Sequence, residues 1–260
     1  MKSMYTAATG MDAQVLRVDT IANNLANANT TGFKKSQVDF ADLMYVAMRE
    51  PGGGQTSTTQ IPTGLEVGTG VTPVSTLRIF TEGPVSPTSG PFDLAITGGG
   101  FFQVETPTGE TRYTRDGNFR MDSNGLVVNS QGNPLFPRIT IPVDATDISV
   151  GSDGSVAATT PGGTPTVVGN IQLATFTNPG GLSSEGGNLF AETIASGSPR
   201  VGTPGQLGFG QVKQGYLEAS NVDVVTELVD LIMAERTYEL NSKVIRTGDR
   251  ILQVTNSIVV

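Results

Sequence analysis

Three stretches carry residues whose types and spacing could do chemistry. Gly98-Gly99-Gly100 is a glycine run of the kind that cradles phosphate. Asp122-Ser123-Asn124-Gly125 matches a fragment of a calcium loop, and Glu227, Asp230 and Glu235 could work as paired catalytic carboxylates. Each weakens on inspection. No Lys-Ser/Thr follows the glycines, and Phe101-Phe102-Gln103-Val104 after them reads as a strand rather than a helix N-terminus. The Asp122 segment lacks the rest of the twelve-residue calcium pattern and its closing Glu, so it reads as a turn. The three acids fall in a long helical stretch, where a solvated face or salt bridges with Arg236 and Lys243 account for them. The chain has no Cys and no His, which removes the thiolate and imidazole that serve most metal sites, general bases and nucleophiles. We therefore expect no enzyme, no metal and no cofactor.

The elements around these residues carry a stronger signal. Apolar residues return every seven positions at both ends of the chain. At the start they are Met4, Met11, Val18 and Leu25, with Ala8, Val15 and Ala22 interleaved. At the end they are Val224, Leu231, Tyr238, Ile245, Leu252 and Val259. All 15 prolines lie between Pro51 and Pro204, whereas each end holds a single glycine, Gly10 and Gly248. The ends permit helix and the middle opposes it. The first helix is predicted from about Ser3 to Asn27, with Gly32 as its C′ glycine. The second is predicted from Ser220-Asn221-Val222-Asp223 to about Asn256, capped by Ser220 or Asn221 with Asp223 in the capping-box position.

Between them, Asp116-Gly117, Asn124-Gly125, Gly132-Asn133 and Asp153-Gly154 punctuate short runs such as Leu126-Val127-Val128 and Ile139-Thr140-Ile141. This rhythm predicts antiparallel hairpins closing into a sandwich or barrel-like unit. Residues 50–75 are polar and rich in breakers, and read as a long loop or extended hairpin. The expected fold is α+β: long N- and C-terminal coiled-coil-type helices packed together, a β-rich middle domain and an extended loop or hairpin segment. The expected division is 1–32 with 220–260, then 33–80, then 81–219.

Charge and hydropathy narrow the partners. A net charge of -8 speaks against nucleic acid. No run reaches 18 apolar residues, so no membrane span is expected. Asp12, Arg17 and Asp19 interrupt any signal-peptide core, so export by a cleaved signal is not expected. The N-terminal seam is Met and Ala with few large aliphatics. Burying a Met or Leu contributes about 1.5–3 kcal/mol, against about 1–2 kcal/mol for ordering each residue. A seam of small residues allows close approach among several helices, so the ends are expected to order on assembly with other copies.

Three segments resemble one family. Ala22-Asn23-Asn24-Leu25-Ala26-Asn27 through Gly32-Phe33-Lys34 resembles the N-terminal signature of the flagellar rod and hook family. Asp93 to Phe102, with Tyr113-Thr114-Arg115-Asp116-Gly117-Asn118-Phe119, resembles its central β motif. Gly215-Tyr216-Leu217-Glu218-Ala219-Ser220-Asn221-Val222-Asp223, then Arg236, Tyr238-Glu239 and Asn241-Ser242-Lys243, resembles its C-terminal signature, with Glu235 where Gln is expected. The stretch Pro51 to Val71 resembles a segment that the distal rod branch carries and hook subunits lack.

The resemblance implies a structural subunit that polymerises helically with itself, its terminal helices forming inner layers and its β domain facing outward. It further implies a tube that transmits torque between motor and hook. The implied partners are proximal rod proteins, hook protein, the surrounding P-ring and L-ring proteins and the flagellar export apparatus. The implied location is the basal body, from periplasm to outer membrane. Residues 50–71 are expected to bridge axial neighbours. A proximal rod or hook-type subunit is the near alternative. A secreted oligomeric adhesin is the far one, disfavoured by heptads at both ends and by the absent signal.

Overall fold

The structure, a computed structural model, describes residues 2–49 and 63–258. Residues 50–62 of the polar segment 50–75, and Val259 of the C-terminal stripe, lie outside the described residues. The chain forms two compact units. One comprises residues 1–25, 36–77 and 223–260, the other 26–35 and 78–222.

The first unit holds the two terminal helices, α1 (Lys2–Ala26) and α2 (Val224–Ile258). Four contacts give them opposite directions. Met4 lies against Gly248 and Gly10 against Asn241, while Arg17 Nη2 is 3.0 Å from Asp230 Oδ1 and Asn24 Nδ2 is 3.2 Å from Glu227 Oε2. The unit also contains β1 (Ser36–Asp42), β2 (Val46–Arg49), β3 (Leu65–Val67) and most of β4 (Val71–Arg78). β1 pairs with β4, and β2 pairs antiparallel with β3, with Val46 opposite Val67. The approach to β4 rests on α1: Thr9 Oγ1 accepts from Val71 N at 3.4 Å, and Gly70 leaves no room there for a side chain.

Both helix ends differ from expectation. The cap of α2 is Asp223, whose Oδ1 accepts from Val225 N at 3.0 Å and Thr226 N at 3.4 Å. Ser220 and Asn221 spend their side chains elsewhere. α1 ends at Ala26, so Gly32, with φ of +66°, is not its C′ residue. Its left-handed backbone serves close packing instead: a Cβ on it would meet Asp116 N at 2.5 Å.

The second unit is built from β5 (Val85–Pro87), β6 (Leu94–Thr97), β7 (Phe101–Glu105), β8 (Thr111–Thr114), β9 (Phe119–Met121), β10 (Val127–Asn129), β11 (Leu135–Phe136), β12 (Asp147–Val150), β13 (Ser155–Thr159), β14 (Thr166–Asn170), β15 (Leu173–Thr175), β16 (Ser183–Gly186), β17 (Leu189–Ala191), β18 (Arg200–Gly202), β19 (Gln211–Gln214) and β20 (Tyr216–Glu218). The largest sheet runs β16-β17-β8-β7-β15-β18, with β11 also paired to β7. Successive side chains of a strand point to opposite faces. Phe102 and Val104 enter one core with Ile96, Phe119, Leu135, Ile171 and Leu173, while Phe101 enters another with Tyr113, Phe176 and Phe190. Both faces of β7 are therefore covered, which is why Phe101–Val104 is buried without alternation. The glycine run lies between β6 and β7, and the Asp122 segment turns β9 into β10 around Gly125, at φ of +79°. Ile139 and Ile141 are buried but belong to no strand; Thr140 makes one bridge to Leu126. Pro137 and Pro142 flank them and withhold two backbone donors. Among the described residues, no helix is long and apolar enough to cross a membrane.

Candidate functional site

The second unit gathers residues distant in sequence around one buried charge cluster. Lys34, in the bend between α1 and β1, has a fully buried side chain whose Nζ donates to Thr81 O at 2.6 Å and to Glu218 Oε1 at 2.5 Å. Glu218 ends β20, is equally buried, and also accepts from Gly83 N at 2.9 Å. Its other oxygen is 3.3 Å from Arg115 Nη1. Arg115 follows β8, donates to Gly98 O at 2.7 Å and stacks over Phe101 at 5.5 Å. Two bases thus share one buried acid. Burial pulls both the Lys34 ammonium and the Arg115 guanidinium below their ordinary pKa values, against the opposing pull of Glu218.

The neighbours lock the same bend. Gly32 N donates to Glu218 O at 2.8 Å, and Asn221 Oδ1 accepts from Lys35 N at 2.7 Å while its Nδ2 donates to Ile79 O at 2.8 Å. Phe33 is buried with the Arg78 guanidinium 5.9 Å from its ring. Asn27 Oδ1 accepts from Thr30 Oγ1 at 3.1 Å, Gly215 N donates to Asp93 O at 2.8 Å, and Ser220 Oγ accepts from Val222 N at 3.3 Å. Thr31 Oγ1 donates to Asp116 Oδ1 at 2.8 Å, and burial raises the Asp116 pKa.

In the first unit the motif residue Asn24 is buried at the end of α1. Its amide pairs with the Ser36 backbone through Nδ2 to O at 2.8 Å and N to Oδ1 at 2.9 Å, and it also meets Glu227. Glu227 is only 4% exposed, so the solvated face predicted for the helix acids is wrong for it. Asp230 pairs with Arg17, and Arg236 pairs with Glu239 at 2.9 Å instead of with the acids proposed for it.

The chain matches three family models in turn. Residues 4–34 match "Flagella basal body rod protein", residues 95–158 match "Flagellar hook protein FlgE/F/G D1 domain", and residues 213–258 match "Flagellar basal body rod FlgEFG protein C-terminal". It is 48% identical over 96% of its length to the flagellar basal-body rod protein FlgG of Buchnera aphidicola subsp. Acyrthosiphon pisum, covering 97% of that protein. It is 47% identical to the FlgG of Caulobacter vibrioides, over 99% of both chains, and 40% identical to that of Bacillus subtilis, over 97% of both. The chain belongs to the FlgG family of flagellar basal-body rod proteins.

Each of the three family-matched stretches supplies one member of the buried cluster: Lys34 the first, Arg115 the second and Glu218 the third. All three lie inside the motifs that carry the family resemblance, where their residue types alone give them no role.

The predicted seam residues fall on different sides of the helices. On α1 the buried positions are Ala7, Ala13, Ile21 and Asn24; Met4, Ala8, Met11, Val18 and Leu25 are half-buried, and Val15 and Ala22 are exposed. On α2, Leu231, Ile245 and Leu252 are half-buried, and Val224 and Tyr238 remain exposed. They share the α1-facing side with buried Glu227 and Ala234, and with Asn241 and Gly248. A Cβ on Gly10 would lie 2.9 Å from Asn241 Nδ2, and one on Gly248 would lie 2.9 Å from Met4 Cγ. The single glycine of each helix therefore marks a close approach.

The opposite side of α2 carries a second apolar stripe that sequence reading missed. Val225, Val229, Ile232, Met233, Leu240, Val244, Ile251 and Val254 are all exposed, Val225 by 71%. On α1, Tyr5, Val15 and Leu16 are exposed away from α2.

Proposed function

We propose that the chain is a structural subunit of the distal rod, the drive shaft of the flagellar basal body, that polymerises helically with itself and has no enzymatic activity. The observation that carries this is the two-sided apolar character of α2. A helix apolar on opposite faces is stable when both faces are covered, and α1 supplies cover for one. Further copies of the chain supply the other through heterologous, non-closing contacts, which generate a helical tube. In that tube the terminal helices pack coiled-coil fashion in inner layers, with the predicted stripes and the second α2 stripe as seams, and the β unit faces outward. The rod stands on the proximal rod, carries the hook, turns inside the P and L rings between periplasm and outer membrane, and is supplied by the flagellar export apparatus. The segment 50–71 bridges axial neighbours and stiffens the tube.

Electron microscopy of basal bodies from cells lacking the gene tests this. A short rod without a hook is expected, with full length restored by the intact chain. A complete rod and hook in the deletion would overturn the reading, and a break nearer the base would make this a proximal subunit. In the same strain, a chain lacking 50–71 is expected to build bent rods; straight ones would remove the stiffening role.

A further inference from the structure

The outward sides of the two helices differ in charge sign. On α1, Tyr5, Asp12 and Asp19 form an exposed column seven residues apart, with Ala8, Val15 and Leu16 beside it. On α2, Arg236, Lys243 and Arg250 form an exposed column at the same interval, flanked by Val229, Ile232, Leu240, Val244 and Ile251. At 1.5 Å per residue, neighbouring charges on either column are about 10.5 Å apart. The α1 column is acidic and the α2 column basic. Arg17 pairs with Asp230 and Arg236 with Glu239, whereas among the described residues Asp12, Asp19, Lys243 and Arg250 make no ion pair.

We propose that the outward face of α1 in one copy docks on the outward face of α2 in another copy, with the acidic column set against the basic one. This rests on the reading of the chain as a rod subunit. Copies stacked with one polarity keep α1 of one antiparallel to α2 of the next, so the equal intervals match over the whole column. Two registers are possible: Asp12 with Lys243 and Asp19 with Arg236, or Asp12 with Arg250 and Asp19 with Lys243. Glu239 already occupies Arg236, which favours the second. The apolar flanks supply adhesion and the charges fix register. Sliding by one residue turns the columns away from each other.

The test uses the full chain in cells lacking the gene, with rods counted by electron microscopy. Asp12→Lys with Asp19→Lys is expected to reduce hook-bearing rods at least tenfold, as is Lys243→Glu with Arg250→Glu. Combining all four reversals is expected to restore most of them. Rods unaffected by either pair, or no recovery in the combination, would overturn the proposal. Because the natural chain has no Cys, Asp19→Cys with Lys243→Cys gives an independent readout. Oxidised basal bodies should yield a ladder of disulfide-linked multiples of this chain. Uncrosslinked monomer from intact rods, or a crosslink to a different protein, would overturn the proposal. Failure of the unmodified chain to build rods would instead strike the rod reading itself.

Discussion

Glu218 is the residue on which the β unit most depends. It is the acid that Lys34 and Arg115 both touch, and none of the three side chains reaches bulk water to any extent. A buried ion pair contributes little net stability when whole, but removing one partner leaves an uncompensated charge that costs about 3–5 kcal/mol. Glu218→Gln keeps the shape and an oxygen for Gly83 N, yet strands two cations. We expect it to destabilise the β unit by about that amount in chemical denaturation. A loss under about 1 kcal/mol would mean that the cluster relaxes to admit water.

At the scale of elements, the helices were legible in the sequence and their packing was half legible. Freedom from proline and a seven-residue stripe announced α1 and α2 to within a few residues. The stripe alone could not say which neighbour each face meets, because a heptad looks the same whether it packs within a chain or between chains. Asp223 displaced Ser220 and Asn221 as the cap because those two side chains are held by the adjacent loop. Lys34, Arg115 and Glu218 escaped attention for a related reason: each is an ordinary charge in sequence, and only the fold shows that they share one site. The lone glycines were the overlooked clue. Glycine costs about 1 kcal/mol relative to alanine inside a helix, and close contact with the facing helix is what it provides here. Gly10→Leu should raise the intrinsic helicity of α1, read by circular dichroism of the monomer, yet wedge α1 from α2 and abolish swimming. Gly10→Ala should retain part of it. Normal swimming with leucine would show that the close approach is dispensable.

At the scale of the whole molecule, stability is unevenly shared. The β unit has cores on both faces of β7, whereas α1 buries Ala7, Ala13, Ile21 and Asn24, and α2 buries Glu227 and Ala234. That is little against about 1–2 kcal/mol of backbone entropy for each ordered residue. In a dilute monomer, hydrogen exchange is expected to find slow amides in the β unit and little protection in 2–26 and 224–258. In assembled rods the helical amides should become slow. Strong helix protection in the monomer would mean that the chain needs no neighbour to order its ends.

The spread of the charge cluster along the chain has a kinetic side. Lys34 and Glu218 are 184 residues apart, so their contact closes a very large loop and cannot exist until translation has passed position 218. Local hairpins such as β7–β8 can form early, but long-range closure must wait. Between positions 115 and 218 the growing chain has two bases awaiting an acid not yet made. A fold whose central charge cluster closes this late reaches its final packing only after nearly the whole β unit has been made.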